Sequence, residues 1–122
     1  MVDRSKLDAE LLLRVDRVLA AMAALGHPMK IVQGFRTAEE QAKLYAQGRT
    51  APGKVVTDAD GVKVLSNHQS GKAVDCAFDS VVPFAETHPW SLYGACAEAV
   101  GLVWGGGTKH GWHGQDRPHV QL

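Results

Sequence analysis

The first feature of this sequence that suggests chemistry is an aspartate inside a strand-like apolar segment. Asp75 lies in AVDCAF, residues 73–78, where Val74, Cys76 and Phe78 alternate with the other residues at the period of a strand. A buried carboxylate without a positive partner costs several kcal/mol, on the order of the penalty for other buried charges. The sequence offers two kinds of partner, a salt bridge with Arg36 or Lys72, or a metal ion.

Histidines in the sequence favour the metal ion. His68 lies on a polar loop seven residues before Asp75, and Gly71 between them allows the chain to turn. A catalytic zinc needs a third protein ligand and an open position for water, and the C-terminal segment, which carries His110, His113 and His119, can supply that ligand. Asp116, three residues before His119, could accept a proton from the metal-activated water. One aspartate and two neutral imidazoles would leave a zinc centre with net positive charge.

Helices and short strands must bring these residues together. Apolar residues at steps of three and four predict a first helix, which Gly26 and Pro28 end: Leu7, Leu11, Val15, Val18, Leu19, Met22 and Leu25. A capping box, Thr37-x-x-Glu40, predicts a second helix to about residue 47, and a third helix is expected at about residues 90–100. Strands are predicted in KIVQGF, AVDCAF, LVWGGG and PHVQL, and a long loop with a small hairpin between residues 49 and 65. The irregular order favours an α+β fold with an antiparallel sheet.

Composition limits the class of protein. The 122 residues suit a single domain, 1–122, and 45% of them are hydrophobic. Lysine plus arginine equal aspartate plus glutamate at 13 each, so no basic field for nucleic acid is present. The N-terminal segment has no uninterrupted apolar stretch, so neither a signal peptide nor membrane insertion is expected. Cys76 and Cys96 allow one disulfide bridge at most.

Several separate segments resemble the zinc peptidases of the D-Ala-D-Ala carboxypeptidase/dipeptidase superfamily. Ser66-x-His68-x6-Asp75 with the distant Asp116-x-x-His119 is similar to that superfamily's metal pattern. GFRT with EQ, residues 34–41, resembles its arginine-bearing strand-to-helix segment. QGRTAPGKVVT, residues 47–57, and WGG with DRPH, residues 104–119, resemble its L-alanyl-D-glutamate endopeptidase branch, common among phage endolysins. The likeness covers roughly residues 7 to 122.

The resemblance implies a single zinc peptidase domain with a hedgehog/DD-peptidase-like fold, in which about three helices pack with a small antiparallel sheet. It implies Zn²⁺ as cofactor, with His68, Asp75 and His119 as ligands. Asp116 would be the general base, Arg36 would stabilise the oxyanion, and Ser66 would hydrogen-bond the bound peptide. The implied substrate is the stem peptide of bacterial peptidoglycan, cut between L-alanine and D-glutamate.

The sequence is also compatible with other functions. The same chemistry would serve a D-Ala-D-Ala carboxypeptidase or dipeptidase, and a non-catalytic cell-wall-binding zinc domain would keep the ligands without turnover. A thiol hydrolase built on Cys76 and His68 is disfavoured, because strand alternation turns Cys76 away from the face of Asp75. His110 and His113 are expected to be solvent-exposed or to line the substrate site. We expect a monomer, made in the cytoplasm, which would act on the cell wall after release if it is a phage endolysin.

Overall fold

The computed structural model describes residues 2–62 and 64–122. Its first element is the helix α1, Ala9–Ala24, which buries Leu11, Val15, Val18 and Met22. Asp8 caps its N-terminus, because the carboxylate accepts hydrogen bonds from the backbone N–H groups of residues 10 and 11. The helical spacing in the sequence therefore predicted α1 correctly, although Leu25 at its end is exposed.

Four antiparallel strands form one sheet, as the sequence predicted. They are β1 (Met29–Gln33), β2 (Ala73–Phe78), β3 (Val103–Trp104) and β4 (His119–Gln121). The order across the sheet is β1-β2-β4-β3, so β4, which follows the other three along the chain, lies between β2 and β3. In the pairing of β2 with β4, Asp75 is opposite His119. The sheet register itself thus brings two of the predicted ligands side by side.

Two further helices complete the α+β fold. Helix α2, Ala38–Ala46, begins with the predicted capping box: the Thr37 hydroxyl accepts from the Glu40 backbone N–H, and the Glu40 carboxylate accepts from that of Thr37, both at 3.1 Å. Helix α3, Trp90–Ala99, packs against α1. No helix of the described residues combines the length and the apolar character that a membrane crossing requires.

The core lies between the sheet and the helices α1 and α3. Val74, Cys76 and Phe78 of β2 contribute to it, and Cys76 is fully buried as the strand alternation predicted. Asp75 lies on the opposite face of β2, where it is partly exposed. Both cysteines are free, so the disulfide that the sequence allowed does not form.

The small hairpin predicted between residues 49 and 65 is not formed by the residues of that stretch that the structure describes. The described part of this stretch, residues 49–62, 64 and 65, contains no strand, and a single isolated bridge joins Gln47 to Ala51. The valines that suggested strands, among them Val55, Val56 and Val64, are more than half exposed. Without an apolar surface to pack on, these short valine runs have nothing to stabilise pairing. This segment, residues 47–65, is called the connector below.

Candidate metal centre

His68, Asp75 and His119 come together at the base of an open cleft. His68 Nε2 lies 3.2 Å from His119 Nδ1, and each of these nitrogens lies 3.4 Å from Asp75 Oδ1. Both histidines are buried, at 3% and 5% exposure. The three atoms therefore form a nearly equilateral triangle.

The loop that carries His68 is held by a turn at Gly71. Gly71 has a positive φ of 72°, and a side chain there would collide with the backbone carbonyl of Lys6. The loop is also fixed from the other side, because the Arg36 backbone N–H donates to the His68 carbonyl at 3.0 Å. The predicted change of direction at Gly71 is confirmed, and it aims His68 at the strand that carries Asp75.

Hydrogen bonds on the far sides of the two imidazoles determine where their lone pairs point. His68 Nδ1 lies 3.0 Å from the Gly34 carbonyl oxygen, which can only accept, so Nδ1 carries the proton and Nε2 is free. His119 Nε2 lies 2.7 Å from Gln121 Oε1, which leaves His119 Nδ1 unprotonated in the neutral ring. Both lone pairs and the Asp75 carboxylate oxygen consequently face one another.

This arrangement fits a zinc ion. Asp75 Oδ1 is buried and has no hydrogen-bond partner among the described residues. Ligand atoms about 2.0–2.1 Å from a tetrahedral zinc ion are about 3.3 Å apart, which matches the 3.2 and 3.4 Å separations here. Burial would raise the pKa of Asp75, but the adjacent imidazoles of His119 and His68 hold that pKa well below its usual range. The carboxylate is therefore ionised, as a metal ligand must be.

The salt bridges considered from the sequence do not account for Asp75. Among the described residues, its basic neighbours within 4.0 Å are His68 and His119, not Arg36 or Lys72. The thiol alternative also fails, because burial raises the pKa of Cys76 to about 12 and leaves no thiolate at neutral pH.

Asp116 lies beside the three-residue cluster without being part of it. Its Oδ2 is 3.7 Å from His119 Nδ1. Three residues of extended chain would span roughly 10 Å, a distance that would separate Asp116 from His119. Instead, a turn closes there, with the His119 N–H donating to the Asp116 carbonyl at 3.2 Å. Burial and the charge of Asp75 raise the pKa of Asp116, which suits a proton acceptor.

Close packing fixes this turn in place. Gly105 touches it so closely that an added Cβ would lie 2.5 Å from the Asp116 carbonyl oxygen. The Trp104 indole N–H donates to the Arg117 carbonyl at 2.7 Å, and the Tyr93 hydroxyl donates to that of Pro118 at 2.9 Å. Trp104 thus has a packing role, the more common one for a tryptophan, and it supports the segment that carries Asp116.

Arg36 is a buried cation at the edge of the cleft. Its side chain is 8% exposed, and its Nη1 donates to Gln41 Oε1 at 2.7 Å. Burial lowers the pKa of Arg36, while the charge of Asp75 acts in the opposite direction, and an arginine stays protonated under either influence. A surface pair with Glu39 or Glu40 is absent among the described residues, and Glu40 instead caps α2.

Ser66 lies at the start of the His68 loop and lines the cleft. Its hydroxyl accepts from the His68 backbone N–H at 3.2 Å, so one role of this residue is to shape the loop. The contact with substrate stays a prediction.

The cleft above the cluster has a volume of about 1060 Å³. Described residues of the connector line it, among them Val55 and Thr57, and so does a second segment that includes His110, His113 and Asp116. Neither histidine belongs to the cluster, and both line the cleft, as was expected. His110 has a positive φ of 56°, which is uncommon for a residue other than glycine.

Two residues that contact the site were not identified from the sequence. Gln121 follows His119 by two positions, so strand alternation places both side chains on one face, and that signal could have revealed it. Gln41 follows Arg36 by five positions and is the one buried residue of α2. The sequence signal for Gln41 was a polar residue at the buried position of a short helix.

The fold is shared with peptidoglycan peptidases of known structure. The L-Ala D-Glu endopeptidase ChiX of Serratia marcescens superposes with a TM-score of 0.70 at 18% identity, covering 98% of this chain and 82% of that one. A vancomycin-resistance D,D-pentapeptidase, VanY, solved in complex with Zn(II), gives a TM-score of 0.68 at 18% identity, covering 95% and 72%.

Sequence comparison identifies the family. The family model described as VanY, D-alanyl-D-alanine carboxypeptidase, matches residues 4–104, and the chain belongs to this family. The peptidoglycan L-alanyl-D-glutamate endopeptidase CwlK of Bacillus subtilis (strain 168) is 34% identical over 118 residues, covering 88% of this chain and 68% of that protein. The resemblance inferred from the sequence motifs is therefore confirmed.

Proposed function

We propose that the chain is a zinc-dependent peptidase that hydrolyses the L-Ala-D-Glu bond of peptidoglycan stem peptides. The observation that carries the proposal is the convergence of three potential ligand atoms, 3.2 to 3.4 Å apart, at the base of a cleft. A site that only stabilised the fold would be closed, whereas this one opens to solvent beside an acidic and a basic side chain. The relative CwlK, whose name states this bond specificity, supports the choice of bond.

Each residue of the site has a role in this proposal. His68, Asp75 and His119 hold the zinc ion, which, when bound, polarises the scissile carbonyl and acidifies water. Asp116 takes the proton from the attacking water as the new C–O bond forms, and delivers it to the leaving amine when the C–N bond breaks. Arg36 stabilises the negative charge that develops on the carbonyl oxygen. Because that charge is absent in the substrate, the interaction lowers the barrier rather than only strengthening binding.

The domain organisation, the role of Ser66 and the oligomeric state complete the proposal. Residues 1–122 act as one catalytic domain, and Ser66 donates its hydroxyl proton to the bound peptide while its oxygen still accepts from the loop. The enzyme acts as a monomer on the cell wall, without a nucleic-acid partner.

A second candidate is hydrolysis at the D-alanine end of the stem peptide. The description of the matching family, D-alanyl-D-alanine carboxypeptidase, favours it. An L,D-carboxypeptidase structure, DacB from Streptococcus pneumoniae, also superposes with a TM-score of 0.69 at 21% identity, covering 99% of this chain and 70% of that one. The two candidates share the chemistry and differ in the bond presented to it.

Digestion of purified peptidoglycan, followed by mass spectrometry of the new termini, distinguishes them. The proposal expects a new free amino group on D-glutamate. Release of free D-alanine or D-Ala-D-Ala alone would establish the second candidate instead. Binding to peptidoglycan with no new terminus, by zinc-loaded protein, would indicate a non-catalytic wall-binding domain. The matched control is Asp116→Asn, which should keep the zinc and lose most of the products.

A further inference from the structure

Gln41 is a fully buried glutamine at the junction of α2, Arg36 and the connector. Its exposure is 0%, and it is the one residue of α2 that is buried. Its Oε1 accepts from Arg36 Nη1 at 2.7 Å. Its Nε2 donates to the Ala59 carbonyl at 2.8 Å and to Thr57 Oγ1 at 3.1 Å.

The chemistry of the partners leaves no freedom in the orientation of this amide. A guanidinium can only donate and a backbone carbonyl can only accept, so the oxygen of Gln41 must face Arg36 and its nitrogen must face Ala59. Glutamate would lack the donor, and leucine would lack both groups. All of these hydrogen bonds are made within the protein, so the side chain is not arranged to bind substrate.

The two ends of Gln41 reach different parts of the cleft. Arg36 and residues 57–59 of the connector all line it. The described residues of the connector form no strand, and Gln41 contacts them at Thr57, Ala59 and Gly61, where an added Cβ would lie 3.1 Å from Gln41 Cβ. One side chain therefore links Arg36 to the part of the connector that lines the cleft.

We infer that Gln41 is a positioning residue, which fixes the guanidinium of Arg36 and segment 57–61 of the connector relative to each other. The inference rests on the proposed function for the role of Arg36, and on the contacts alone for the connector. Gln41 itself does not line the cleft, so its effect on turnover should pass mainly through Arg36, the partner that acts on the substrate in the proposed function.

A double-mutant cycle tests the link to Arg36. Arg36→Ala should lower kcat by about 100- to 1000-fold, as removal of an oxyanion donor does. Gln41→Leu should lower kcat by about 10- to 100-fold through misplacement of the cation, with a smaller change in KM. In the double variant, kcat should stay within about twofold of Arg36→Ala alone. Multiplied effects in zinc-loaded, folded protein would overturn the inference, because they would mean that Gln41 acts independently of Arg36.

Hydrogen exchange tests the link to the connector without any activity. Backbone amides in residues 57–62 should exchange about five- to tenfold faster in Gln41→Leu than in the wild type, as expected for the loss of local hydrogen bonds. Glu39→Gln, an exposed change on the same helix, is the control and should leave exchange and kcat unchanged. Unchanged exchange in folded Gln41→Leu would contradict the inference. If the wild type cleaves no peptidoglycan, the proposed function fails, and the exchange result still decides the role of Gln41 in the connector.

Discussion

Replacing Gln121 should change the zinc affinity of the protein without removing a ligand. Gln121 Oε1 accepts from His119 Nε2 at 2.7 Å, and this bond keeps His119 Nδ1 free to bind the metal. In Gln121→Leu the buried Nε2–H loses its acceptor, a penalty of about 1–3 kcal/mol. Since each 1.4 kcal/mol is a factor of ten, zinc affinity should fall by about 5- to 150-fold. Partners of metal-bound histidines typically contribute about 10- to 100-fold, in the same range.

Gln121→Glu should raise the zinc affinity, whereas Gln121→Leu should lower it. A carboxylate is a stronger acceptor than an amide and makes the imidazole more basic, so zinc should bind more tightly than in the wild type. Competition with a fluorescent zinc chelator at neutral pH measures all three affinities, and circular dichroism verifies the fold. Gln115→Leu, an exposed change in the segment before Asp116, is the control. Equal affinities in the wild type and Gln121→Leu would refute the tautomer argument.

Three further predictions concern the site directly. The wild type should contain about one equivalent of zinc, and His68→Ala should lose most of it in metal analysis; full retention would contradict the ligand assignment. Asp116→Asn should keep its zinc while turnover falls by about 10²- to 10⁴-fold, and joint loss of zinc and activity would make Asp116 a ligand. Gly105→Ala should lower the melting temperature and turnover together, because its Cβ would lie 2.5 Å from the Asp116 carbonyl oxygen; a melting temperature like that of the wild type would show that the turn can move.

The helices and strands were predictable because each has a strong local signal. The apolar spacing of α1, the capping box of α2 and the alternation in β2 depend on neighbours within a few residues. The connector was predicted less well, since its valines suggest strands and no local signal indicates that a partner surface is missing. The contacts that hold the connector include hydrogen bonds from Gln41 to Thr57 and Ala59, which lie 16 and 18 positions further along the chain.

The composition of the cluster was predictable, and its geometry was not. The spacing of His68, Asp75 and His119 in the sequence suggested a shared metal, and the structure brings the three together. That Asp116 approaches through a closed turn could not be foreseen, because an Asp-x-Pro-His segment is compatible with both an extended chain and a turn. The tautomers of the two histidines could not be predicted either. That of His68 depends on Gly34, which is distant in sequence, and that of His119 depends on Gln121.

The position of β4 in the sheet has a consequence for the synthesis of the enzyme. β4 follows β1, β2 and β3 along the chain but lies between β2 and β3, and it brings His119, with Asp116 just before it. A growing chain can pair β1 with β2, yet it must leave an edge of β2 unpaired until β4 is made. During that interval neither the proposed third ligand nor the proposed base is present, so we expect a nascent chain to have no hydrolytic activity. By this reasoning the order of the strands delays the activity until the sheet has closed.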